Sequence, residues 1–100
     1  MPAVPTTKQE RVAARAQARD QTRRLERVRK RLSNLELEIA ATEEELEQLG
    51  WRLGDPEVYR DGERVRALEA ERDTLRGRVE ASYRDWEAAA AEQAELEADA

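Results

Sequence analysis

The side chains able to do chemistry in this chain are charged, and the most informative of them are arginines. Arg11, Arg15, Arg19, Arg23 and Arg27 recur every four residues, and Lys8, Arg24, Arg29, Lys30 and Arg31 thicken the row. On a helix, a four-residue repeat draws one slowly winding stripe. Guanidinium groups in a row suit a polyanion, whose phosphates release counterions on contact. The same stripe also suits a plain solvated helix face. No signature for reading particular bases accompanies it, so any nucleic-acid contact is expected to follow charge and shape.

Catalytic chemistry finds no support. His and Cys are absent, and Ser33 and Ser82 have no base beside them to activate a hydroxyl. Glu43, Glu44, Glu45 and Glu47 form a carboxylate run, which on a helix reads as a solvated face. Without histidine it completes no transition-metal set. No GxxxxGK[ST] phosphate loop is present. The expectation is a non-enzymatic chain with no catalytic residue, no metal and no cofactor.

Charge is divided unevenly along the sequence. Residues 1–31 hold ten Lys and Arg against Glu10, Asp20 and Glu26, a net of +7, while residues 32–100 hold eight Arg against twenty acids, a net of −12. That division predicts a polyanion-facing end and not a polyanion-facing whole. With 41% charged residues, 4% aromatics and no Phe, the 100-residue chain has one domain at most and no large globular core. No apolar run approaches the roughly 18 residues that span a bilayer, and no signal-peptide core follows Met1. A soluble, cytoplasmic protein with no membrane partner is expected.

What must position the arginines is a pair of heptad helices. Leu25, Val28, Leu32, Leu35, Ile39, Thr42, Leu46, Leu49 and Leu53 step by three and four without interruption. Val65, Leu68, Arg72, Leu75 and Val79 do the same, before Tyr83 and Trp86. Each run keeps one stripe apolar and needs a partner helix. The short breaker from Gly54 to Gly62 lets them pair with each other. The fold class is therefore all-α, an antiparallel two-helix coiled-coil hairpin with a short helical turn at its tip.

Boundaries follow from capping chemistry. Met1 to Thr6, with two prolines, is expected to be disordered or extended. Thr7 to Glu10 has capping-box spacing, so the first helix starts there and runs to about Leu53. Gly54 is expected to take the left-handed C-terminal conformation. Asp55 caps one helical turn with Pro56 at its first position, and Asp61 caps a second long helix from about Gly62 to the mid-90s. Four regions result: a disordered 1–7, a basic helical linker 8–31 continuous with the first helix, the coiled-coil hairpin 32–90, and an acidic, fraying helix end 91–100.

Polar matching suggests a register. Setting Leu49 against Val65, Leu46 against Leu68, Ile39 against Leu75, Leu35 against Val79 and Val28 against Trp86 also pairs Thr42 with Arg72 and Gln21 with Gln93. A shift of one heptad either way lays Arg72 on Leu49 or Leu35, burying a charge against hydrocarbon. The favoured register brings Glu92, Glu95, Glu97 and Asp99 beside Arg15, Arg19, Arg23 and Arg24, and leaves Arg27, Arg29, Lys30 and Arg31 beyond their reach. Through Leu75, Val79 and Tyr83 the spacing becomes four and four, an insertion that locally unwinds a left-handed supercoil.

The aromatics divide by position. Trp86 is expected in the core, and Tyr83 half-buried with its hydroxyl seeking a partner. Tyr59 is expected to fold back as a lid over the hairpin end. Trp51 falls off the stripe at the tip beside Arg52, where it either stacks on a base or partner or simply caps the tip.

The segment Leu53-Gly54-Asp55-Pro56-Glu57-Val58-Tyr59, followed by a heptad helix closing in Tyr83-Arg84-Asp85-Trp86-Glu87, resembles the C-terminal domain of ABC-F ATPases. That domain is a small coiled-coil hairpin appended to two ATP-binding-cassette domains that lack a membrane portion. The likeness covers about Arg29 to Ala90, and the basic stretch before it looks like the linker to the second ATPase domain. The resemblance implies nucleic-acid association: DNA binding for some members, ribosome contact for the translation factors. ATP hydrolysis is not carried over, because the phosphate loop is missing.

Two functions therefore compete at the level of sequence. One is a monomeric nucleic-acid-binding module, for DNA or ribosomal RNA, using Arg23, Arg24, Arg27, Arg29, Lys30, Arg31, Trp51 and Arg52. The other is a structural coiled coil that positions attached ATP-binding-cassette domains without touching nucleic acid. A basic-zipper dimer through Leu25 to Leu53 is disfavoured, since the second helix is a partner always present at high effective concentration.

Overall fold

The computed structural model describes Val4 and residues 7–99. The remainder of the expected extended segment Met1–Thr6 lies outside the described residues. Three helices follow in order: α1 (Lys8–Leu53), α2 (Pro56–Tyr59) and α3 (Gly62–Ala98). The two long helices pack against each other, and α2 packs on both at the tip. The result is a helical hairpin measuring 78 × 17 × 15 Å.

Each helix begins on the side chain that the sequence assigns to it. The Thr7 hydroxyl accepts from the Glu10 amide at 3.1 Å, and the Glu10 carboxylate accepts from the Thr7 amide at 3.4 Å. Both arms of the capping box are thus made, satisfying two amides that have no intrahelical partner. Asp55 accepts from Glu57 with Pro56 at the first helical position, and Asp61 accepts from Arg64. Gly54 departs from expectation. It lies in the right-handed region at φ −83°, ψ −10°, and no described glycine has positive φ. With α2 starting two residues later, the chain bends through Asp55 and Pro56 and needs no left-handed residue.

The core is a seam in two pieces. Toward the tip, Leu49, Val58, Leu68 and Leu75 are buried together with Leu46 and Leu53 against them. Toward the open end, Val28, Leu32, Leu35 and Ala89 are buried, with Trp86, Ala90 and Leu96 packed on them. The gap between the clusters falls where the heptad spacing of α3 changes to four and four.

The register differs from the polar-matched expectation by one heptad. Trp86 Nε1 donates to Glu36 at 3.1 Å, Tyr83 Oη donates to Glu43 at 2.8 Å, and Arg29 donates to Glu97 at 3.2 Å. In the expected pairing, Tyr83 and Glu43 would be about 18 Å apart along the axis, beyond the reach of both side chains. Moving α3 one heptad toward the tip brings all three pairs to within about 8 Å of level along the axis, a span their side chains can bridge. It also sets Leu46 near Leu75 and Leu53 near Leu68, as the tip cluster requires. Thr42 consequently bonds its own helix at Glu38, and Gln21 donates to the Leu96 carbonyl instead of meeting Gln93.

This is the register that levels Arg72 with Leu49. Its Nε is buried without a hydrogen-bond partner, while the residue as a whole is only half-buried. Because the residue keeps part of its surface in water, the cost is below that of a fully buried charge. In return the tip closes over Val58, 4% exposed, a burial worth about 2 kcal/mol. Val58, not Tyr59, is the lid: Tyr59 stands 67% exposed. Adjacent helical residues point about 100° apart, so only one of them can face the seam.

Candidate nucleic-acid interface

Arg23, Arg24, Arg27, Arg29, Lys30 and Arg31 occupy consecutive turns of α1, and all six are exposed. Trp51 and Arg52, also exposed, lie at the other end of the hairpin, about 30 Å from Arg31 along the axis. The eight residues therefore form two sites and not one. Trp51 is 70% exposed, so it caps nothing.

The register brings acids to the basic turns. Arg24, Arg27 and Arg31 line one side of an open groove of about 500 Å³, and Glu92, Glu95 and Asp99 of α3 line the other. Arg29 pairs with Glu97 at 3.2 Å, and Arg31 stands 4.0 Å from Asp85. Arg29 is thus within reach of a carboxylate from which the polar-matched register would have separated it by about 18 Å, whereas Arg31 and Asp85 lie near each other in either register. These pairs are weak. With side chains 55% and 49% exposed, the Arg29–Glu97 bridge sits in the solvent-screened range of roughly 0–1 kcal/mol. A phosphate can displace such a carboxylate.

The shift has a second effect on charge. Because α3 ends sooner, α1 from Lys8 to Asp20 continues about 20 Å past the paired region. Arg15 and Arg19 lie on this stretch, with Val12 54% exposed between turns.

At the centre of the hairpin the two aromatics of α3 each find a carboxylate on α1. Tyr83, 45% exposed, donates to Glu43, and Trp86, half-buried, donates to Glu36. The hydrogen bond to Glu43 raises the Tyr83 phenol above its ordinary value of 10.0, helped by desolvation and by the nearby negative charge. The sequence placed both rings at the spacing anomaly. It gave no sign of the opposing glutamates, because the register was one heptad out. Among the described residues there is no group of three or more His, Cys, Asp or Glu able to hold a metal ion, and no described helix is long and apolar enough to cross a membrane.

No curated protein and no solved structure matches the chain. A family model described as the ABC transporter C-terminal domain matches residues 21–98, the stretch over which α1 and α3 run side by side, and the chain belongs to that family.

Proposed function

We propose that this protein is a non-catalytic nucleic-acid-binding module that grips the phosphate backbone of DNA or ribosomal RNA through its basic helix. The reading rests on one observation. Arg23, Arg24, Arg27, Arg29, Lys30 and Arg31 are all exposed on a single helix, which then runs on with Arg15 and Arg19 past the acidic end of α3. Arg23, Arg24, Arg27 and Lys30 make the primary contacts. Arg29 and Arg31 join when phosphate displaces Glu97 and Asp85. Trp51 and Arg52 supply a separate stacking contact at the tip. The module works as a cytoplasmic monomer, attached to or acting beside ATP-binding-cassette domains.

Binding measured against salt tests this directly. Each phosphate contact adds about 0.7–0.9 to the slope of log affinity on log salt. Replacing the six basic residues with Gln should weaken binding and flatten that slope; equal affinity in the variant rejects the proposal. Replacing Glu92, Glu95 and Glu97 with Gln should tighten binding, since it removes the competing carboxylates.

A second reading has its own observation. α1 leaves the hairpin without a break, which suits a strut holding attached ATPase domains. A gel-shift experiment at low salt that finds no complex with DNA or RNA would favour it.

A further inference from the structure

Between the two core clusters, a cleft of about 280 Å³ opens on one side of the hairpin. Ile39 and Ala40 form its apolar floor, and Glu36, Glu43, Tyr83 and Trp86 form its walls. The cleft lies away from the Arg23–Arg31 turns and takes no part in the phosphate contacts proposed above.

Its chemistry is specific. Glu36 and Glu43 lie seven residues apart on one face of α1, about 10.5 Å along the axis. Each accepts a hydrogen bond from an aromatic side chain of α3, at 3.1 Å from Trp86 and 2.8 Å from Tyr83. Each uses one carboxylate oxygen in that bond and keeps the other free. Neither has Lys or Arg three or four residues away on α1, where helical ion pairs form. Neither makes an ion pair among the described residues. Two anionic groups are thus held in fixed places by aromatic donors, next to ring surfaces and over a hydrocarbon floor, and no cation is among the residues that line the cleft.

We propose that this cleft docks a helix of a partner protein that carries arginines seven residues apart. A guanidinium fits both features of each wall, stacking on an aromatic ring while its fork bonds the free carboxylate oxygen. A helix lying along the hairpin repeats the spacing of Glu36 and Glu43, so both pairs form at once. A small apolar residue between the arginines then meets Ile39 and Ala40, completing a three-helix contact. Lysine matches less well, since an ammonium has no planar face to stack.

A peptide titration tests the idea in the Trp51→Phe background, where Trp86 is the remaining indole. The probe is a helical alanine-based peptide of about 16 residues with arginines seven apart. Controls are the same peptide with citrulline, which keeps the shape and loses the charge, and one with the arginines five apart. The expected result is a saturable change in Trp86 fluorescence, with both control peptides about tenfold weaker. The double substitution Glu36→Gln and Glu43→Gln should also weaken binding about tenfold while circular dichroism shows unchanged helix. Comparable binding of the citrulline peptide, or full binding by a folded double variant, overturns the proposal. So does a self-associated chain that the double substitution dissociates, because the cleft then belongs to a second copy.

Discussion

Arg72 offers the sharpest test of the register, because two substitutions there should act in opposite directions. Its Nε is buried with no partner, in a seam otherwise apolar at that level. An unsatisfied buried donor costs about 1–3 kcal/mol. Arg72→Leu removes the donor and keeps hydrocarbon against Leu49, so we expect a gain of about 1–2 kcal/mol. For a chain of this size each kcal/mol moves the melting temperature by about 4–8 °C, which makes the expected rise about 10 °C. Arg72→Gln leaves a buried amide on a stem too short to reach water, and should cost about 1–2 kcal/mol. Thermal and urea unfolding followed by circular dichroism measures both. If Leu leaves stability unchanged or lowers it, Arg72 does not lie over Leu49 and the register is wrong. In the polar-matched register, Arg72 faces Thr42, and Gln would be tolerated there.

Two further outcomes follow from the tip and the central cleft. Val58→Ala should destabilise the hairpin by about 2 kcal/mol by opening a cavity between Leu49 and Leu68, whereas Tyr59→Ala should change stability by less than about 0.5 kcal/mol; equal losses in urea unfolding would contradict the assignment of Val58 as the lid. The Tyr83 phenol should ionise above 10.0, with the Glu43 hydrogen bond as the main cause, and Glu43→Gln should return it toward that value in an absorbance titration. The folded state favours the neutral phenol, so the stability tied to this bond is complete below pH 10.0 and is lost as pH rises through the higher folded value.

The elements of this fold were legible in the sequence because each rests on local chemistry. Thr7, Asp55 and Asp61 cap the three helices in the places their types and spacing indicate, and the heptad stripes supply Val28, Leu32, Leu35, Ile39, Leu49, Leu68 and Leu75 of the core. Register was not legible, since it depends on what two distant segments do together. Pairing Thr42 with Arg72 treats arginine as a point charge and overlooks a stem long enough to lie in a seam with its head in water. It also omits α2, whose Val58 is buried with Leu49, Leu68 and Leu75 at the tip. The candidate site inherits both errors. Its arginines stand out in composition and spacing, but Glu97 beside Arg29, and the glutamates holding Tyr83 and Trp86, come from α3 lying one heptad further along.

The bare stretch of α1 beyond the end of α3 has a mechanical consequence. An unbroken helix fixes angular phase as well as distance, so whatever the segment from Lys8 to Asp20 carries is clocked to the hairpin. Removing one residue there would draw the load in by about 1.5 Å and swing it by about 100°, like a crank reset by more than a quarter turn. Removing seven would restore nearly the original heading at about 10 Å closer range. Orientation and reach are thereby set independently by the same few turns of polypeptide.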